Sequence, residues 1–427
     1  PLIFIIKNRL IVMKIISGTL KALGPGILFA GAAIGVSHLV QSTRAGASYG
    51  FSLFLLVIVT NFLKYPFFEF ANRYTAATGE SVLKGYKDLG NFALISFLIL
   101  SFISSFINIS AIGLVTTGLA ENLFHTGIPI VSLSGILVSL IVVILVVGRY
   151  HVLDKMMKIL IIVLSITTIV ALIAAIQHGS SITPDFVAPN IWTITGIGFM
   201  VALMGWMPAP IEVSVWPSLW MLERSKQTAH KPSMKETLLD FYVGYIGAAV
   251  LALVFLSLGA LIMYGTGEAF SNSGIVFSSQ LVNLYVQTLG SWSKIFIGTA
   301  CLITMFSTLI TVMDAYPRVM SESILLLVPR MSYRKDILYW FWVIFLSVGG
   351  ILILVYFQNK MKTLIDIATI MAFLAAPIFA FMNYKIIRSK SVPTEFKPPK
   401  WLMRISYAGL VYLISFGLLY FVLKFIY

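Results

Sequence analysis

Gly205-Trp206-Met207-Pro208-Ala209-Pro210 lies inside an apolar stretch, residues 195–222, that is long enough to cross a bilayer. Two prolines two residues apart remove two backbone donors, so the helix is expected to break there. A second apolar stretch, residues 27–49, carries Gly31, Gly35, Val36, Ser37 and His38 about where the bilayer midplane falls. That places two flexible glycines and two polar side chains at membrane depth. Either interruption alone reads as readily as a kink or packing notch, both common in membrane helices. Together they are the first and sixth apolar stretches of the chain, five apart. Interrupted helices at corresponding positions of two five-helix halves are the pattern of an inverted-repeat secondary transporter whose substrate sits at the breaks.

The rest of the chain supports that frame. Of 427 residues 59% are hydrophobic and 11% charged, with mean hydropathy +0.96, so the bilayer is the solvent. The apolar stretches are long and do not alternate, which selects an all-α membrane protein over a barrel. Further crossings are expected at 51–74, 92–124, 128–147, 156–176, 241–264, 292–325, 337–357, 364–387 and 405–425, making about eleven. Turns or loops are expected at 85–91, 180–189, 225–236 and 389–400. The division that follows is an N-terminal cytoplasmic segment (1–23), a ten-helix core (24–390, with repeats 24–179 and 190–390), and a linker with an eleventh helix (391–427). Met13 reads more like a start than Pro1 does, so residues 1–12 are expected to be an upstream extension.

Charge tests the count independently. With the N-terminus inside, twenty-four of the thirty Lys and Arg residues fall on the cytoplasmic side. Only Arg44, Lys294, Lys360, Lys362 and Lys424 fall outside, with Lys64 at membrane depth. A miscounted helix would scramble this alternation. The expected setting is therefore a plasma membrane, of the bacterial inner type, with the C-terminus outside. Topology and anionic headgroups explain the net charge of +14, so lipid and not nucleic acid is the expected partner. The single Cys301 offers neither an internal disulfide nor a thiolate metal site.

The sequence resembles the Nramp family of proton-coupled divalent metal transporters. The similarity is carried by Gly24-Pro25-Gly26, Ala45-Gly46-Ala47-Ser48-Tyr49-Gly50, Asn61, Arg73 and Thr78-Gly79 in the first two helices. It continues more loosely through Met207-Pro208, Thr311, Ala315, Val319, Met320 and Pro377. The resemblance implies a leucine-transporter-like fold with broken helices 1 and 6, alternating access, symport and metal transport. It also places the substrate at Gly35, Ser37, His38, Met204, Met207, Ala209 and Thr369. The departures fall on the metal chemistry. The family's first break reads Asp-Pro-Gly-Asn, and its two ligand positions hold Gly35 and His38 here; the histidine usually found two residues after Met207 is Ala209. The family's acidic pair in the third helix becomes Asn108 and Ala111, and a glutamine of the tenth becomes Thr369. A divalent ion stripped of water normally receives a carboxylate, and a thioether with backbone carbonyls is a poor substitute. The loss argues against conventional manganese or iron symport. His38 with Met207 would make a soft metal pair; equally, His38 is a hydrogen-bonded interior residue.

Ionisable side chains at membrane depth are costly, and each is a functional candidate. Lys64 and Glu69, on either side of Pro66, are expected to pair. Glu212, just past the sixth-helix break, is an acid placed to bind a proton or cation, or else to bond freed backbone groups near Pro210. Asp314 and Arg318 are spaced for an intrahelical salt bridge, Asp366 is expected at the N-terminus of the tenth helix, and Ser307, Thr308 and Thr311 form either a sodium-site hydroxyl set or a packing face. Trp206 and Trp216 could line a pocket for an organic solute. No phosphate-binding loop, zinc-protease His pair or nucleophile elbow is present, so an enzyme is not expected. The reading is a secondary transporter with no cofactor beyond a coupling ion, H+ or Na+. Its cargo is a metal ion or a small polar or organic solute; a channel or non-transporting receptor is the alternative of another class. Oligomeric state is left open, with a monomer compatible.

Overall fold

The computed structural model describes residues 24–147, 150–179 and 182–426. The N-terminal segment 1–23, with its expected start at Met13, lies outside the described residues.

The first crossing is broken as expected. Helix α1 (Pro25–Ala33) opens with proline at its first position, and the amides of Gly24 and Gly26 donate to the carboxylate of Asp240, at 3.1 and 2.6 Å. A buried side chain from elsewhere in the fold thus satisfies donors that a helix start leaves unpaired. The helix stops at Ile34–Val36, a wide π-type turn covers Ser37–Ser42, and α2 (Thr43–Tyr49) completes the crossing. Helix α3 (Phe54–Thr78) carries Pro66 within it and ends at Gly79, whose φ of 72° is the left-handed cap glycine tolerates.

The segment expected to turn at 85–91 is instead helix α4 (Val82–Leu89). The Ser81 hydroxyl caps it by accepting from Lys84 N, while Val82, Leu83 and Tyr86 are buried and Lys84, Lys87 and Asp88 face outward. Helices α5 (Asn91–Phe124), α6 (Ile130–Val147) and α7 (Tyr150–His178) complete the first half.

The sixth crossing is α8 (Ile194–Gly205), an irregular stretch at 206–210, a short 3₁₀ turn Ile211–Ser214, and α9 (Val215–Thr228). Helix α10 (Met234–Ile262) starts with a capping box between Ser233 and Glu236. Helix α11 (Gly274–Leu289) had no counterpart in the sequence reading. At 16 residues it is too short for a crossing, and it buries Phe277, Leu281 and Tyr285 while packing on α5. Helices α12 (Ser293–Leu327), α13 (Lys335–Phe357), α14 (Met361–Ile387) and α15 (Lys400–Ile426) follow.

Among the described residues eight helical runs are long and apolar enough to cross a membrane, the first of them, 37–78, merging most of crossing one with crossing two. The shorter apolar runs 162–177 and 194–205 belong to crossings five and six, so the eleven segments are all present as helices.

The broken first crossing lies along α10 by close backbone approach. A Cβ on Gly26 would fall on the carbonyl of Asp240, and one on Gly46 on the carbonyl of Leu256. In lipid, where apolar burial does not drive helices together, such small-residue seams let dispersion and backbone contacts do so. The two halves of the broken sixth crossing lie against α14 and α1, respectively.

Candidate transport site

The last turn of α8 and the irregular stretch beyond it present backbone carbonyls to Lys64 at membrane depth, Met204 O being shared with the amides of Trp206 and Met207. The Lys64 Nζ donates to the carbonyls of Met204 and Gly205, both at 3.1 Å, and of Ala209 at 2.8 Å. The expected Lys64–Glu69 pair is therefore not formed. Residues five apart lie roughly 140° apart around a helix, and Pro66 does not bring them back together. Glu69 pairs with Arg73, one turn on, and accepts from Tyr65.

The first break is tied to the sixth through Ser37. Its hydroxyl donates to Ala33 O, contacts His38 Nδ1 at 2.7 Å, and lies 3.4 Å from Pro208 O. His38 is fully buried, and its Nε2 lies 2.7 Å from Ala248 O. A carbonyl only accepts, so Nε2 carries hydrogen there. His38 is thus a hydrogen-bonded interior residue in this conformation, held through Nε2, while the one Ser37 proton serves either Ala33 O or Nδ1. Gly35 packs directly on Thr308, whose hydroxyl donates to Gly31 O at 3.2 Å, so this part of the α12 hydroxyl set is a packing face against α1.

The other expected substrate positions separate. Met207 lies with its sulfur 3.7 Å from Ser42 Oγ, whereas the Met204 sulfur accepts from Tyr412 on α15, away from the breaks. Thr369 accepts from Gln41 at 3.2 Å. Gln41 belongs to a polar cluster that the sequence reading missed: Arg44 donates to Gln41 Oε1 at 2.8 Å and to both oxygens of Asp366 at 2.8 and 3.1 Å. Asp366 lies more than a turn inside α14, which starts at Met361, and so is an ion-pair partner and not an N-terminal residue.

A cavity of about 40 Å³ lies between the two breaks, α5 and α12. Ser37, Asn108, Trp206, Ala209, Trp216 and Thr308 are in its wall, and no carboxylate is. That volume holds roughly three waters. The indole N–H of Trp206 is buried there without a hydrogen-bond partner among the described residues. A wider pocket of about 460 Å³ is lined in part by Gly24, Arg224, Asp314, Arg318 and Lys335. Trp216 lines the first space and Trp220 the second, and their rings meet edge-on at 6.0 Å. This aromatic pair forms part of the boundary between them.

Glu212 sits behind the cavity wall. Its Oε1 accepts from Tyr316 at 2.6 Å and lies 3.5 Å from Asn108 Nδ2, while Oε2 has no hydrogen-bond partner within bonding distance among the described residues. Among the described residues it makes no hydrogen bond to the backbone around Pro210. Tyr316 gives no signal in sequence, because a tyrosine in an apolar helix usually reads as packing. Asp314 makes the expected salt bridge to Arg318 at 2.7 Å and also accepts from Tyr339.

Two broken crossings meeting at a small central cavity, in a bundle of eleven crossings among the described residues, define a membrane transporter of the leucine-transporter-like fold. Solved structures agree. The manganese transporter of Eremococcus coleocola, in complex with an aromatic bis-isothiourea compound, superimposes with TM-score 0.67 at 13% identity, covering 94% of this chain and 86% of that one. MhsT in complex with L-phenylalanine gives 0.65 at 14% identity, over 93% and 97%. Mhp1, a nucleobase-cation-symport-1 family transporter, gives 0.59 at 14%, over 93% and 90%. The family described as natural resistance-associated macrophage protein-like, Nramp, matches residues 26–423, and the chain belongs to it. An uncharacterized protein of Pasteurella multocida is 38% identical over 402 residues, 93% of this chain and 91% of that one.

Proposed function

We propose that this Nramp-family secondary transporter carries a small polar solute bearing hydrogen-bond acceptors, and not the manganese of its structural neighbour. The observation that carries this reading is the cavity wall: among the described residues its polar groups, Ser37, Asn108 and Thr308, are neutral and bonded within the protein, the Trp206 N–H has no partner and is the donor left for a solute's acceptor, and no carboxylate is among them. A hard divalent ion loses strongly held water on entry and needs anionic oxygen in return. Among the described residues no three His, Cys, Asp or Glu side chains gather as a metal site. A second reading, a soft ion held by the Met207 sulfur, draws on that residue's position beside Ser42 between the broken crossings.

Transport proceeds by alternating access, with the broken crossings moving against the remaining helices. Glu212 is the proposed coupling acid, with H+ as the coupling ion. The proposed setting is a bacterial inner membrane with the N-terminus on the cytoplasmic side, supported by the sequence expectation that twenty-four of thirty basic residues fall on that side. The direct test is thermal stabilisation of the purified protein by a panel of small polar solutes and by divalent ions, in wild type and Trp206→Phe. A solute that stabilises wild type and loses its effect in Trp206→Phe supports the reading; stabilisation by divalent ions alone overturns it.

A further inference from the structure

Lys64 is fully buried at membrane depth, and no carboxylate lies within salt-bridge distance of it among the described residues. The nearest acid in sequence, Glu69, is taken by Arg73. A charge so placed normally has a counter-ion. What Lys64 has is three carbonyl oxygens, two from the last turn of α8 and one from the irregular stretch beyond it, at 3.1, 3.1 and 2.8 Å.

Each part of this arrangement suits a cation. The C-terminal end of a helix carries partial negative charge on its last carbonyls, and of the three here Met204 O also accepts from the amides of Trp206 and Met207. An ammonium has three N–H donors and no acceptor, matching three carbonyls one for one. A neutral amine has two donors and would turn its lone pair toward the third carbonyl. The same chemistry, carbonyl oxygens at a helix break, binds alkali and transported ions in membrane proteins built from discontinuous helices.

We propose that Lys64 is a tethered resident cation: its ammonium fills the carbonyl cradle at the sixth-helix break that an exchangeable metal or alkali ion would otherwise fill. The cradle is a cation site by construction, and the chain supplies its own occupant from α3. Helix α8 then keeps its broken end buried in the protein at membrane depth without recruiting an ion, and the positive charge stands beside the path of the cargo. Shortening the side chain should expose the cradle to a small ammonium or alkali ion. The proposal does not depend on the identity of the cargo.

The experiment is thermal unfolding of the full chain in detergent, in choline, sodium, potassium or methylammonium chloride and with manganese titrated in. Wild type is expected to show one melting temperature in every salt and no saturable response to manganese. Lys64→Ala is expected to melt about 10 °C lower in choline and to recover at least half of that loss, saturably, with methylammonium or an alkali ion. Lys64→Met, whose chain fills the same space without charge, is expected to melt low in every salt. A Lys64→Met protein as stable as wild type would make the charge irrelevant. A Lys64→Ala protein that no cation restores would reduce Lys64 to a packing residue. Saturable stabilisation of wild type by an alkali ion or manganese, abolished in Lys64→Met, would mean the cradle exchanges its ion. Each of these three results overturns the proposal, and the wild-type measurement stands even if a variant fails to fold.

Discussion

The Tyr316 hydroxyl donates to Oε1 of Glu212 at 2.6 Å, while Oε2 of the same carboxyl, equally buried, has no hydrogen-bond partner within bonding distance among the described residues. One oxygen is held and the other is left for a proton. Glu212→Gln keeps an acceptor for Tyr316 and removes the titration. It should leave the protein folded while transport driven by a proton gradient falls about tenfold or more toward the undriven rate, within the range that loss of one proton-transferring group gives. Glu212→Ala should also destabilise the protein, by about 1–3 kcal/mol, because Tyr316 and Asn108 lose their partner. Full gradient-driven transport by Glu212→Gln in liposomes would move the coupling role to another residue.

Arg44 and Asp366 connect the first crossing to the tenth at the face opposite the wide pocket, with Gln41 between them. A paired charge that loses its partner keeps its desolvation cost and loses its compensation. Asp366→Asn should therefore loosen this contact. Since the native Cys301 is buried, a cysteine introduced at Gln41 can report it. Labelling of Gln41→Cys by a small membrane-impermeant thiol reagent should speed up about tenfold when combined with Asp366→Asn. Equal rates would show that the pair does not hold that side closed.

The seam between the first crossing and α10 gives a stability prediction with a built-in control. Gly46→Ala puts a methyl group on the Leu256 carbonyl, where overpacking typically costs about 1–3 kcal/mol. Gly247→Ala, on α10 itself, meets nothing within 4 Å and should leave stability unchanged or slightly raised. Melting temperatures of the two variants should separate by several degrees in that order.

The legible part of this molecule was the part written in local composition. Apolar length gave the crossings, Pro208 and Pro210 gave one break, and Gly35 with its polar neighbours gave the other. The four-residue spacing of Asp314 and Arg318 gave their salt bridge. What could not be read depends on partners far away in sequence. Lys64 bonds carbonyls more than a hundred residues on, and nothing in a sequence marks a carbonyl as free. Asp366 reads as a helix-start residue until Arg44 is placed beside it. His38 reads equally as a ligand and as an interior residue, and nothing in the sequence marks the Ala248 carbonyl that its Nε2 meets. Helix α11 escaped because it is too short for a crossing and its burial depends on α5.

Manganese and cadmium uptake by purified protein in liposomes, with and without an inward proton gradient and against protein-free vesicles, tests the central claim most directly. The carboxylate-free cavity predicts no manganese uptake above the protein-free level at either pH condition, from protein shown to be folded. Gradient-stimulated manganese uptake that disappears in Met207→Ala would contradict the account, because the altered site would then still carry the ion its lining is argued to reject.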